Sequence, residues 1–277
     1  MTRSDVLITA EELYGLTSRR TPPRLLDVRW TLLKPDGRDD FARGHLPHAL
    51  YVDLDTELAS PDRSDPTAGR HPLPSPEQFE ATVRGWGIEA DTEVIVYDDN
   101  SGLGAARAWW LLRWAGLRAR VLDGGIDAWV ATGGELEIGD SRPVDPSTVV
   151  ITPGSMPVID AEEAARWDGV LLDARAPERY RGETEPLDSQ AGHIPGAANA
   201  PVSENAENGR ILSEEALRER FAELGALESP VAVYCGSGVT ACHNAMVLAT
   251  LGVGSSLYSA SWSGWSSDPS RTVATGA

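Results

Sequence analysis

The chain is predicted to be an α/β protein built from two copies of one domain, each a mostly parallel sheet covered by helices. Three observations predict this: an ordered internal repeat, strand signals alternating with helix signals in each half, and a length of 277 residues, enough for two ordinary domains. The repeat has four elements in the same order. Leu25-Leu26-Asp27-Val28-Arg29 returns as Leu171-Leu172-Asp173-Ala174-Arg175, and Gly44-His45-Leu46-Pro47 as Gly192-His193-Ile194-Pro195. Val94-Ile95-Val96-Tyr97-Asp98 returns as Val231-Ala232-Val233-Tyr234-Cys235, and Gly125–Trp129 more weakly as Ala260–Trp265. The third pair is offset by less than the first two, so the first copy carries an insertion between its second and third elements. The expected boundaries are residues 1–140 for the first domain, 141–154 for a linker and 155–277 for the second. The wider stretch Gly139–Met156 is rich in Pro, Ser and Thr and has no period. It is expected to wrap along the surface.

Each element follows from local chemistry. Val170–Asp173, Val94–Tyr97 and Val231–Tyr234 are short apolar runs rich in strand formers, as buried parallel strands are. Ala197–Pro201 leads to a proline stop. Ser213–Leu224 has helical spacing, with Ser213 as N-cap and Glu214 and Glu215 in the first turn. Ser75–Arg84, Ala105–Ala115 and Thr240–Leu251 are the other helical stretches.

Composition narrows the function. Hydrophobic residues make up 41% of the chain, enough for a globular core, and charged residues 24%, which argues against wholesale disorder. The net charge of -18 disfavours nucleic acid and anionic membranes as partners, though not a small anion in a locally positive pocket. The start of the chain has no apolar run of signal-peptide length, and no stretch reaches the roughly 20 apolar residues of a membrane helix. A cytoplasmic location is expected. Cys235 and Cys242 are the two cysteines, at neither a redox-pair nor a zinc spacing, so neither a zinc site nor a disulfide is expected.

The chemistry centres on Cys235-Gly236-Ser237-Gly238-Val239-Thr240. Cys235 ends a central strand, two glycines follow, and a helix then begins. Ligands of open α/β sheets gather at this carboxyl end. Glycines permit a cradle of inward N–H groups, and the helix start adds a positive dipole; both stabilise negative charge on sulfur or on a bound anion. A phosphatase, a redox enzyme, a sulfurtransferase and a merely structural turn all place a residue here. The arginine a phosphatase needs is replaced by Ala241, and the second cysteine of a redox pair by Gly238.

Over nearly its whole length the chain resembles tandem rhodanese-domain sulfurtransferases. The Cys235–Thr240 loop resembles that of the 3-mercaptopyruvate enzymes, whereas thiosulfate enzymes typically carry Arg and Lys after the cysteine. Gly192–Ala197 matches the family's GHIPGA stretch. Gly44–Ala49 matches it with His48 in the glycine place, and Leu122–Gly125 with Trp129 is a further family segment. The resemblance implies two rhodanese-like domains, of which only the second is active, because Asp98 stands where Cys235 stands. It implies Cys235 as sulfur carrier, Arg179 as the donor's anion clamp, and Gly236, Gly238, Val239 and Thr240 as donor-binding residues. It further implies His71, paired with Asp55 and Ser237, as a proton relay to a departing enolate. Asp188 stands where many mercaptopyruvate enzymes have a second arginine. The implied function moves sulfur from 3-mercaptopyruvate through a Cys235 persulfide to a thiol, thioredoxin or cyanide. Thiosulfate as donor, or a non-catalytic persulfide carrier, are the alternatives. His45 and His193 occur in both copies and are read as structural; Trp262 and Trp265 are candidates to wall the pocket.

Overall fold

The computed structural model describes residues 1–277. In chain order the strands are β1 (Leu7–Ile8), β2 (Arg24–Asp27), β3 (Leu50–Tyr51), β4 (Val94–Tyr97), β5 (Ala119–Leu122), β6 (Val158–Ile159), β7 (Val170–Asp173), β8 (Ala198–Asn199), β9 (Ala206–Glu207), β10 (Arg210–Ile211), β11 (Val231–Tyr234) and β12 (Ser255–Tyr258). Two five-stranded parallel sheets result, in the orders β1-β5-β4-β2-β3 and β6-β12-β11-β7-β8. Element for element these are the same order, as a duplicated domain requires. A small antiparallel hairpin, β9–β10, is added to the second.

The central strands alternate between two cores. Val94 and Val96 face a hydrophobic cluster that they share with Val231 and Val233; Ile95 and Tyr97 face a smaller cluster with Phe41 and Trp129. Ala232 and Tyr234 face the equivalent cluster with Tyr180 and Trp262. Successive strand side chains point to opposite faces, so each sheet has one private layer and one layer shared with its sister domain. The helices Ala105–Trp114 and Ala241–Thr250 pack together in the shared layer.

The repeated motifs now have a physical reason. In β2 and the turn after it, Arg29 forms a double ion pair with Asp27 (3.0 and 2.7 Å) and donates to the Gly44 carbonyl at 2.5 Å. Arg175 does the same with Asp173 (3.0 and 2.6 Å) and the Gly192 carbonyl at 2.6 Å. The histidine of each Gly-His pair then stacks on an aromatic ring and bonds a backbone carbonyl. His45 lies 3.8 Å from Phe41 and 2.9 Å from its oxygen; His193 lies 3.8 Å from Tyr180 and 2.8 Å from its oxygen. Tyr97 and Tyr234 accept from Leu46 and Ile194 through their hydroxyls. Gly196 sits at φ +84°, and His48, which replaces a glycine, sits at φ +64°. That position is left-handed in both copies. The linker is held against the first domain: Ser147 donates to the Arg84 carbonyl, Arg84 to that of Val149, and Thr152 to that of Ala115.

The buried Asp27–Arg29 pair yields a test. Arg29→Met leaves an enclosed carboxylate without its cation and should cost about 3–5 kcal/mol in urea unfolding. The double change Asp27→Asn with Arg29→Met should recover part of that loss, and a double variant as unstable as the sum of the singles contradicts it.

Candidate active site

Cys235 follows the last residue of β11 and is buried beneath its loop. Gly238 is at φ +80°, and a Cβ there would lie 2.2 Å from the Ser259 carbonyl oxygen, so the turn admits only glycine. The Gly238 N–H donates to Cys235 Sγ at 3.1 Å. Ser261, itself at φ +54°, accepts from the Cys235 N–H at 3.0 Å, and its hydroxyl stands 4.0 Å from the sulfur. The backbone N–H groups of Gly236, Ser237, Val239 and Thr240 have no acceptor within the protein. A loop of unpaired donors around a sulfur is suited to an anion.

The insertion of the first domain supplies the next layer. Asp53 caps the short helix Leu54–Glu57, which carries Asp55. Gly69 packs against the Ala260 backbone, and the Arg70 N–H donates to Ser263 Oγ at 3.0 Å, so the segment rests on the second domain. This brings His71 between two partners: its Nδ1 lies 2.8 Å from Ser237 Oγ and its Nε2 3.0 Å from Asp55 Oδ1. A carboxylate only accepts, so Nε2 carries the proton and Nδ1 accepts the serine O–H. Burial pushes the His71 value down to about 4, against the opposing pull of Asp55 and with help from Arg107. The imidazole is therefore neutral near pH 7, with the lone pair of Nδ1 turned to Ser237.

Arg179 lies at the mouth, in the one-turn helix Pro177–Tyr180. Its guanidinium binds Glu185 at 2.7 and 2.9 Å and Asp188 at 3.3 Å. Arg70, from the other domain, also pairs with Asp188. A Cβ on Gly236 would stand 3.2 Å from Arg70 Nη2 and 3.4 Å from Arg179 Nη1. Two guanidinium groups thus flank the loop, although no cationic residue follows the cysteine in sequence. Asp188 bridges them, and burial raises its pKa against the pull of Arg70. Arg181, by contrast, is an exposed partner of Glu183. Trp262 and Trp265 do not wall the pocket. Both are buried, with Trp262 under the Arg175 guanidinium at 4.6 Å and donating to the Gln190 carbonyl.

The cleft outside these groups, about 630 Å³, is lined by Trp30, Asp55, Arg70, His71 and Asp188 among others. A larger cavity of about 760 Å³ beside Tyr14, Arg24 and Trp129 lies at the amino ends of β2 and β4 and holds no part of this constellation. In the first domain the loop after β4 is filled from within. The Asp98 carboxylate accepts from the N–H groups of Asn100, Gly102, Gly104 and Ala105 at 2.8–3.0 Å.

The rhodanese-like domain family matches residues 9–132 and 158–268. The chain belongs to the rhodanese family. Its similarity to known sulfurtransferases makes it an enzyme of that type. It is 45% identical over 99% of its length to the "Putative thiosulfate sulfurtransferase SseB" of Mycobacterium tuberculosis, covering 98% of that protein. It is 44% identical over 98% to the "Probable 3-mercaptopyruvate sulfurtransferase" of Pseudomonas aeruginosa, again covering 98%. The 3-mercaptopyruvate sulfurtransferase structure from Leishmania major superposes with a TM-score of 0.82 at 31% identity, over 93% of this chain and 73% of that one. No helix is long and apolar enough to cross a membrane.

The structure thus brings Cys235, Ser237, His71, Asp55 and Arg179 to one place in this rhodanese-family protein, with the Gly236–Thr240 backbone around the sulfur. Arg70 and Ser261 escaped the sequence reading. Arg70 had one signal, its place beside His71 in an insertion; Ser261 had only the weak fourth repeat.

Two buried histidines make stability depend on pH. His71 and His243 each fall from 6.5 to about 4, burial being the main cause in both. Unfolded, they take up protons near pH 6.5; folded, not until about pH 4. Their contribution is full above pH 6.5 and is lost as pH falls toward 4, on the order of 3 kcal/mol per histidine. The fall in melting temperature between pH 6.5 and 4.5 should be smaller in His71→Gln than in wild type. Equal falls contradict a neutral buried imidazole.

Proposed function

We propose that this sulfurtransferase takes sulfur from 3-mercaptopyruvate onto Cys235 and passes it to a thiol, thioredoxin or cyanide. The observation that carries the reading is His71 held between Asp55 and Ser237, the latter two residues after Cys235 in its loop. The Cys235 proton moves by way of Ser237 to neutral His71, whose imidazolium Asp55 stabilises. The thiolate attacks the donor sulfur; the new S–S bond forms as the donor's C–S bond breaks, leaving a Cys235 persulfide and the enolate of pyruvate. His71 returns the proton through Ser237 to the enolate carbon. The free N–H groups of the loop hold the developing negative charge. Arg179 and Arg70 bind the donor carboxylate, which displaces Asp188 from them. In the second half, an acceptor thiolate attacks the outer sulfur and Cys235 leaves as thiolate.

Thiosulfate is the second reading, and two observations favour it. Arg70 and Arg179 place cations beside Gly236 that the loop sequence lacks, and the Mycobacterium tuberculosis relative, at 45% identity, carries that name. Its transfer releases sulfite and moves no proton, so it has no use for His71. We further propose that the first domain transfers no sulfur, because Asp98 is no sulfur acceptor and occupies its own cradle.

The deciding experiment compares kcat/KM for both donors with one acceptor, in wild type and His71→Ala. The expected result is a wild-type preference for mercaptopyruvate that drops at least tenfold in the variant, with thiosulfate turnover little changed. A preference for thiosulfate in wild type transfers the assignment to the second reading. Persulfide formation without turnover, followed by intact mass, would leave only a carrier. Arg179→Ala and Arg70→Ala should each weaken donor use by roughly 1.5–3 kcal/mol, in the first half-reaction; unchanged persulfide formation at subsaturating donor removes that arginine from the site. Cys235→Ser should abolish transfer, while Cys242→Ser keeps most of it.

A further inference from the structure

Three arginine side chains are enclosed in this protein: Arg29, Arg107 and Arg175. Arg29 and Arg175 each face a carboxylate of their own strand. Arg107, in the helix Ala105–Trp114, is fully buried and faces none, in a chain with 42 acidic residues. Its hydrogen bonds go to carbonyl oxygens, Leu58 at 3.2 and 3.1 Å, His71 at 3.1 Å and Gly238 at 2.9 Å, and its charge also bears on the Cys242 thiol, which burial keeps protonated. One guanidinium from the first domain thus grips the backbone of the relay histidine and the backbone of the loop glycine. That glycine's N–H rests on Cys235 Sγ, and its carbonyl also accepts from the Cys242 thiol at 3.3 Å.

The pseudo-symmetry of the molecule gives this contact a counterpart. Ser101 occupies the place in the Asp98 loop that Gly238 occupies in the Cys235 loop. Its carbonyl is bonded by His243 Nε2 at 3.0 Å, from the helix Ala241–Thr250. Each loop is therefore held by the helix that follows its sister loop. The strut aimed at the inactive loop is a histidine, which burial keeps neutral. The strut aimed at the cysteine is a permanent cation. A neutral donor suffices to hold a carbonyl, as His243 shows, so a charge on one side only needs a reason. Burying it without a counter-ion is costly unless something nearby becomes negative.

We infer that Arg107 is a positioning residue for sulfur transfer, a buried cation whose counter-charge is the Cys235 sulfur as thiolate and persulfide. This rests on Cys235 being the sulfur carrier. The other charged or titratable groups around that sulfur are His71 with Asp55, reached through Ser237, Arg70 and Arg179 with Asp188 and Glu185 at the mouth, and Cys242 behind the loop. Among the cations Arg107 alone carries no carboxylate, so its field at the sulfur is not offset by a paired anion.

The test uses the full chain with Arg107→Gln, which keeps a donor for the carbonyls without the charge, and Arg107→Lys, which keeps the charge with a different donor geometry. Alkylation of Cys235 by iodoacetamide is followed by peptide mass from pH 5.5 to 10. At pH 7 the glutamine variant should react at least tenfold more slowly than wild type, converging on it by pH 10, and the lysine variant should stay within about threefold throughout. A glutamine variant as fast as wild type at pH 7, or an equal deficit in both variants that persists at pH 10, overturns the inference in favour of a purely structural strut. Should the glutamine variant not fold, thermal unfolding of wild type against Cys235→Ser decides. The serine leaves Arg107 without a counter-charge, so wild type should gain over it as pH rises from 6 to 9, and a constant gap overturns the inference. Alkylation needs no sulfur donor, so a wild type that forms no persulfide fails the proposed function and leaves this readout separate.

Discussion

The hydrogen bond between His71 Nδ1 and Ser237 Oγ joins a side chain of one domain to a side chain of the other, and the site exists only where that contact holds. Neither domain contains this Ser–His–Asp chain of contacts by itself. The first has the histidine and its carboxylate but no thiol; the second has the thiol and serine but no base. A contact of 2.8 Å requires the domains to be fixed relative to one another to a fraction of an ångström. Much of the remaining structure serves that end. The shared hydrophobic layer joins the two sheets as a single core, and the helices that follow the two loops lie against each other within it. Domains meeting through a polar interface move by default; these meet through apolar side chains packed as in an interior.

Duplication explains how such an arrangement arises from one kind of domain. The two sheets share strand order, buried Asp–Arg pairs and stacked histidines, features that hold the fold, although Arg175 also pairs with Glu185, the partner of Arg179. The copies differ where chemistry is at stake. After β4 the loop closes on the Asp98 carboxylate and uses its donors internally. After β11 the loop closes on a sulfur and keeps its donors free. Between β3 and β4 the first copy has gained the segment that carries Asp55, Arg70 and His71, and that segment leans on its sister. The first copy has a carboxylate where its partner has a sulfur, and it lends side chains to the cleft over its partner's loop.

How much of this was legible in the sequence follows the same division. Strand limits such as Val231–Tyr234 and caps such as Ser213 were readable because they depend on neighbours in the chain: an apolar run, a hydroxyl three residues before an N–H. The four repeated motifs were readable because the same local constraint appears twice. Cys235, Ser237 and the glycines were visible as a strand–turn–helix signal, although choosing one chemistry for it needed the family resemblance. His71, Asp55 and Arg179 came from that resemblance alone, since no spacing places residue 71 beside residue 237. Arg70 and Arg107 were not legible. One looks like any arginine in a polar loop, and the other like a charge on a helix that ought to face water. Their meaning lies in carbonyls and glycines far away in sequence.

The charges at the mouth illustrate why side chains next to the cysteine are a poor guide to the donor. No cationic side chain follows Cys235 in sequence, yet two guanidinium groups reach the same point from residues 70 and 179. Those cations do not act as bare charge, because Asp188 bridges them and Glu185 binds one. A carboxylate held between two arginines already occupies the geometry a donor anion would take. Binding the donor is then an exchange of one anion for another, and its net gain depends on how well the newcomer fits the two forks. It depends much less on the total charge of the newcomer. A planar carboxylate reproduces the shape of the Asp188 side chain, whereas a tetrahedral sulfonate-like group presents its oxygens in three directions. Under the proposed donor assignment the Arg70–Asp188–Arg179 bridge would select for shape, and the mercaptopyruvate carboxylate would match it more closely than its charge alone suggests.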